Sequence, residues 1–109
     1  MGKIVIMMVL ILCPLTVFGS SNFKDVTVKH AGVLGNGDVL IKLSVTSDEI
    51  DCKTNFVKVE NLSAAKDSVL SVALIAYTTG TMITVKTSGC YGGHPTIDDN
   101  NSWFVLNEK

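Results

Sequence analysis

The stretch from Ser63 to Cys90 constrains this chain most, because it sets a helical pattern directly against a strand pattern. Val69, Leu70, Ala73, Leu74, Ala76 and Tyr77 fall mostly at three- and four-residue spacing, which predicts one wide apolar helix face between Ser63 and Gly80. Ser63 is placed to cap the first turn through its hydroxyl, and Asp67 puts negative charge near the positive end of the helix dipole. Gly80 ends the run where a left-handed residue is expected. From Thr81 to Cys90 the period becomes two, with Met82, Thr84 and Lys86 alternating against Ile83 and Val85. The helix therefore packs on a sheet.

The remaining segments read as strands joined by polar turns. Phe23 to Ala31 sets Val26, Val28 and His30 against Asp25, Thr27 and Lys29, a strand with one face turned to a core. Gly32 to Asp38 is a turn centred on Gly35-Asn-Gly-Asp38, and Val39 to Val45 is the strand it feeds. A phosphate-cradling loop would need a Lys-Ser/Thr step and a following helix, which are missing. Thr54 to Glu60 is a third strand, Trp103 to Leu106 a closing one. Three strands, a helix and two strands (βββαββ) is the order of a mainly β, OB-like five-stranded Greek-key barrel plugged by its helix. The same order also fits an open sheet with one helix laid across it.

Residues 1–19 have the layout of a secretory signal: Lys3 as basic start, Ile4 to Leu12 as apolar region and Val17-Phe18-Gly19 as cleavage site. A membrane anchor is the competing reading, but Pro14 and Thr16 interrupt an apolar run already shorter than the roughly 20 residues a bilayer asks for. Cleavage removes Cys13 and leaves residues 20–109, enough for a single small domain in a secreted or periplasmic protein. Charge is nearly balanced, nine Lys and no Arg against ten acidic residues, and this argues against nucleic acid as partner.

Cys52 and Cys90 then form an even pair in an exported chain, which predicts a disulfide. A metal site with His30 or His94 lacks C-x-x-C or H-x-x-x-H spacing, and nothing calls for a cofactor. Asp48, Glu49 and Asp51 crowd one connection, yet the order of a calcium loop is missing and a solvated loop is the expected reading. Gly89-Cys-Tyr-Gly-Gly-His-Pro95 is irregular and lies beside the disulfide, so it is the expected binding loop, with Tyr91 and His94 as its chemical groups. Trp103 is placed either to stack on a sugar or to anchor a core. Asn61-Leu-Ser63 and Asn100-Asn-Ser102 are glycosylation sequons in form.

The leader, the cysteine pair and above all Ser71-Val-Ala-Leu-Ile-Ala-Tyr-Thr-Thr-Gly-Thr-Met-Ile-Thr-Val-Lys-Thr-Ser-Gly-Cys90 resemble a family of small exported bacterial proteins that includes the B subunits of subtilase-type and pertussis-like toxins. The resemblance covers the helix and the strand after it. It implies an OB-fold subunit, a pentameric ring of identical chains, a cell-surface glycan as ligand and a partner A subunit. No glycan-contacting residue of that family matches a position here.

Two readings follow. The first is a secreted non-enzymatic binding module with a glycan ligand, using Tyr91, His94 and Trp103. The second is a periplasmic or extracellular protein that engages another protein through an exposed strand edge. A hydrolase built on Asp48, Asp51, Asp98 or Asp99 with His94 requires burial or mutual repulsion to separate the pKa values of paired carboxylates, whereas these lie in polar, Gly- and Asn-rich turns.

Overall fold

A computed structural model of the chain describes residues 20–98 and 101–108. The expected leader, with Cys13, lies outside the described residues, as do Asp99 and Asn100. The elements run β1 (Ser20–Val26), β2 (Val28–Val33), β3 (Val39–Leu43), β4 (Phe56–Val59), α1 (Lys66–Thr79), β5 (Ile83–Ser88), β6 (Cys90–Tyr91), β7 (His94–Pro95) and β8 (Trp103–Leu106). All pairings are antiparallel. One sheet is ordered β1-β5-β8, a second β2-β3-β4, and β6 and β7 form a short hairpin.

The predicted first strand is thus two strands with a bend between them. Phe23 pairs with Val85 and Val26 with Ile83, so one extra residue is accommodated where Asp25 takes a φ of 56°. Aspartate tolerates that left-handed conformation better than most residues. Thr27, at the bend, is held by Ser44, whose hydroxyl accepts from the Thr27 amide and whose amide donates to the Thr27 carbonyl, both at 3.0 Å. The first strand therefore belongs to both sheets, its early half on β5 and its later half on β3.

A second bulge corrects the expected face of His30. Val28 pairs with Leu43 and His30 with Lys42, so Lys29 is the extra residue and the side-chain alternation changes hand there. Val28 stays buried while His30 turns outward beside Lys42.

The five-stranded barrel expected from element order is not closed. The described strands form open sheets, with β4 and β8 at their outer ends and no pairing between those two among the described residues. The core lies between the sheets and under the helix. Val26, Ile41, Leu43, Val57, Val59, Ile83 and Val85 come from strands, Val69, Ala73 and Ala76 from α1, and Ile97 and Phe104 from the C-terminal part. Each fully buried Val or Ile contributes about 1.5–3 kcal/mol of transfer free energy.

The helix buries a narrower face than its pattern predicts. Val69, Ala73 and Ala76, at i, i+4 and i+7, are buried, whereas Leu74 and Tyr77 are exposed, Tyr77 at 56%. The two stripes lie one residue step apart, about 100° around the axis, and the alanine stripe lets the backbone approach the sheets. The helix begins later than expected. Ala65 is the N-cap without a side-chain cap, and Ser63 instead accepts from the Ala65 amide at 3.1 Å in the preceding turn. Gly80 ends it as predicted, at φ 73° with its amide on the Ala76 carbonyl.

Cys52 and Cys90 form the expected disulfide, which favours an oxidising compartment. Among the described residues no helix is long and apolar enough to cross a membrane.

Candidate functional site

The segment after β5 is a tight hairpin rather than an irregular loop. Tyr91 pairs with His94 and Cys90 with Pro95, and Gly92 and Gly93 turn the chain at φ 60° and 86°. Two consecutive positive φ angles are the mark of a hairpin turn that glycine enters without steric cost. The Gly-Gly pair between two short runs was its signal in the sequence. The hairpin lies close to the Lys58 side chain, since a β-carbon on Gly92 would come within 2.8 Å of Lys58 Nζ. Backbone bonds from Ser88 to Thr96 and from Thr96 to Gly89 tie its base to the end of β5.

Both expected hairpin groups are engaged by the fold. The Tyr91 hydroxyl donates to Asp38 Oδ2 at 3.0 Å, and His94 Nδ1 lies 2.9 Å from Thr54 Oγ1. The His94 ring meets Phe56 edge-on, with centroids 5.5 Å apart. Asp38, only 1% exposed, is the hub of this corner. It also accepts from the Asn61 amide at 2.9 Å and the Asn36 side-chain amide at 3.1 Å. Asn61 Nδ2 donates to the Asn36 carbonyl at 2.6 Å. Nothing in the sequence marked Asp38 beyond its place at the foot of an Asn-Gly turn.

The electrostatics of the corner follow from these contacts. Burial pushes the Asp38 carboxyl up, but the Asn61 amide, the Asn36 amide, the Tyr91 phenol and the Lys58 charge together hold it below its ordinary 3.8. The Tyr91 phenol is raised above 10.0, first by its bond to Asp38, then by burial and by the charges of Asp38 and Glu60. Burial, and secondarily Lys58, lowers the His94 imidazole from 6.5. The depressed His94 and Asp38 contribute stability that is complete above 6.5 and 3.8 respectively and is lost as pH falls through their folded values. The raised Tyr91 contributes stability that is complete below 10.0 and is lost as pH rises through its folded value. Denaturant unfolding across pH is expected to show a plateau from about 7 to 9.5 with a fall on both sides. An NMR titration placing His94 at or above 6.5 would contradict the arrangement.

The outer face of the β2-β3-β4 sheet continues from this corner. Cross-strand register sets His30, Lys42 and Phe56 in one row and Gly32, Leu40 and Lys58 in the next. Lys42 Nζ lies 5.9 Å from the Phe56 ring centroid and Lys58 Nζ 5.6 Å from that of Tyr91. An open groove of about 230 Å³ runs over this face, lined by His30, Gly32, Leu34, Leu40 and Phe56 among others. Trp103 stands apart, on β8 of the other sheet, 41% exposed and with Lys86 Nζ 5.0 Å from its ring centroid. Tyr91 and His94 are thus brought together, and Trp103 belongs to a different surface.

A second cleft, about 360 Å³, lies at the C-terminal end of α1 between Asp25, Thr79, Thr81, Asn107 and Glu108 and offers no ring. Among the described residues the one direct ion pair joins Lys66 and Asp67 at 3.5 Å, and no three His, Cys, Asp or Glu side chains gather as metal ligands. The expected solvated carboxylate loop is corrected at Glu49, which is 0% exposed. Its Oε1 accepts from the Thr87 hydroxyl at 2.5 Å and its Oε2 from the Gly89 amide at 3.3 Å. Two donors at the end of β5 satisfy the carboxylate there, which is what permits its burial. No protein-family model, curated protein or solved structure compared with the chain matches it, so the assignment of this face rests on its own residues.

Proposed function

We propose that the chain is a secreted, non-enzymatic binding module whose ligand is a glycan, built on the OB plan and similar to toxin B subunits. In favour of that plan, the bent first strand links the two sheets in the order β4-β3-first strand-β5-β8, with the helix between the third and fourth long strands. The observation that carries the reading is the set of three ring and lysine pairs, Phe56 with Lys42, Tyr91 with Lys58 and Trp103 with Lys86, on the outer sides of the sheets. Each ammonium lies over its ring, and a sugar would take its place there, its apolar side on the ring face and its hydroxyls accepting from the displaced ammonium. The module works as one member of a ring of identical chains. β8 supplies an edge with Trp103, Val105 and Leu106 exposed, and repeated weak sites gain avidity together.

A glycan array is the test. Wild type is expected to bind, and Tyr91→Ala or Trp103→Ala to weaken binding about three- to tenfold, the contribution of one ring. Equal binding by wild type and both variants would remove those residues from the site. Light scattering on the same sample is expected to give the mass of a ring. A monomer at high concentration favours the alternative, a protein-interaction module that uses the free edge.

A further inference from the structure

We infer that Asn36 is a modification site, a latent point of deamidation that the Asp38 corner holds inert and whose product loosens the 91–94 hairpin. This goes beyond the glycan reading and does not depend on it. Asn36 is the one asparagine of the chain followed by glycine. Glycine leaves its own backbone nitrogen without a side chain to shield it, so an Asn-Gly step closes on itself more readily than one with a bulkier neighbour. In the reaction the Gly37 amide gives its proton to solvent base, its nitrogen bonds to Asn36 Cγ, and Nδ2 takes up a proton and leaves as ammonia. A five-membered imide results, and water opens it at either carbonyl. The net change is one water taken up and one ammonia released, and residue 36 becomes aspartate or isoaspartate with an added negative charge.

The folded turn withholds the groups that this step needs. Asn36 is exposed, but the Gly37 amide donates to the Leu34 carbonyl at 2.9 Å and keeps its proton while that bond stands. Asn36 Oδ1 accepts from the Asp38 amide at 3.0 Å and Nδ2 donates to Asp38 Oδ2 at 3.1 Å, which draws the side chain to the residue beyond Gly37. Asn61 Nδ2 holds the Asn36 carbonyl at 2.6 Å. Asn61 also lies so close over the turn that a β-carbon on Gly37 would come within 3.2 Å of its Cβ. Attack therefore requires the turn to open, and a reaction that runs through an opened form scales with the population of that form.

The product acts on the corner because Asp38 is its hub. An aspartate offers acceptors only, so deamidation replaces the donor on Asp38 Oδ2 with a second carboxylate oxygen. Two carboxylates in contact resist ionising together. The same Oδ2 accepts from the Tyr91 hydroxyl at 3.0 Å, so a displaced Asp38 loses its hold on the hairpin. Isoaspartate goes further, since it adds a main-chain methylene inside the turn that the Leu34 and Gly37 amides close on the Asp38 and Leu34 carbonyls.

The test follows conversion at residue 36 by peptide mass in the full chain, folded and in guanidinium chloride, in mildly alkaline buffer. The folded chain is expected to react at least about tenfold more slowly. Equal rates, or no conversion in the denaturant, overturn the assignment. Asn61→Ala removes the bond to the Asn36 carbonyl and is expected to speed the folded reaction about threefold while its spectrum overlays wild type away from the turn. An unchanged rate in that variant shows that the corner is not what holds Asn36. Asn36→Asp and Asn36→Ala both remove the donor, and only the first adds charge. NMR of the two is expected to show larger shifts of the 91–94 amides in Asn36→Asp, and equal shifts overturn the link from product to hairpin.

Discussion

Replacing Cys52 and Cys90 together by serine is expected to lower the unfolding free energy by about 4 kcal/mol, the chain-entropy value for a closed loop of this length. The bond spans a sequence separation of 38 residues and joins the connection before β4 to the 90–95 hairpin. Stability of a domain this small totals only about 5–15 kcal/mol, so the loss is a large fraction of it. In a thermal melt it corresponds to a drop of roughly 15–30 °C. Cys90 is exposed, so a mild reductant is expected to reach the bond and reproduce the effect in wild type. The hairpin keeps its Tyr91 to Asp38 and His94 to Thr54 contacts, so the double variant is expected to remain folded in the cold. A melting temperature within a few degrees of wild type would show that those contacts, not the cross-link, hold the corner.

Glu49→Ala is expected to cost about 3 kcal/mol, because it strands the Thr87 hydroxyl and the Gly89 amide. Thr87 is fully buried and has no water to turn to, whereas Gly89 is only half-buried. Glu49→Gln separates charge from shape. Its carbonyl can accept from the Gly89 N–H while its amide donates to the Thr87 hydroxyl oxygen, which acts as acceptor as well as donor, so a smaller cost of about 1 kcal/mol is expected. Urea unfolding of both variants beside wild type measures the pair. If Glu49→Ala lies within about 0.5 kcal/mol of wild type, the carboxylate is not a structural acceptor.

What the sequence revealed depended on how local the governing interaction is. The alternation of Ile83 and Val85 against Thr84 and Lys86 appears as buried against half-buried residues, and Gly80 ends the helix by its own backbone freedom. The cysteine pairing was legible because only two cysteines follow the leader expected from the sequence. By contrast, single extra residues in the first strand moved His30 to the outer face, and no period in the sequence announces a bulge. Glu49 looked like its neighbours Asp48 and Asp51 because composition cannot say which of three carboxylates will meet buried donors from a distant strand.

The candidate site was half visible for the same reason. Tyr91 and His94 stood out as chemical groups beside glycines, and they do lie together across a turn. Phe56, Lys42, Leu40 and Gly32 assemble only through cross-strand register, which joins residues that are distant in sequence. Trp103 was conspicuous as the single tryptophan, and register carries it to the other sheet.

The bend at Asp25 to Thr27 also governs how the molecule can come into being. Residue 20 finds its ladder partner at residue 88 and residue 26 at residue 83, so the opening strand has nothing to hold until most of the polypeptide exists. Pairings so remote close the largest loops and form slowly, on the millisecond-to-second scale of high-contact-order β domains. During that wait the later half of the same strand can already zip onto its hairpin neighbour, leaving the earlier half as a bare, sticky ribbon. Newly made chains are accordingly most vulnerable to one another along that earlier half.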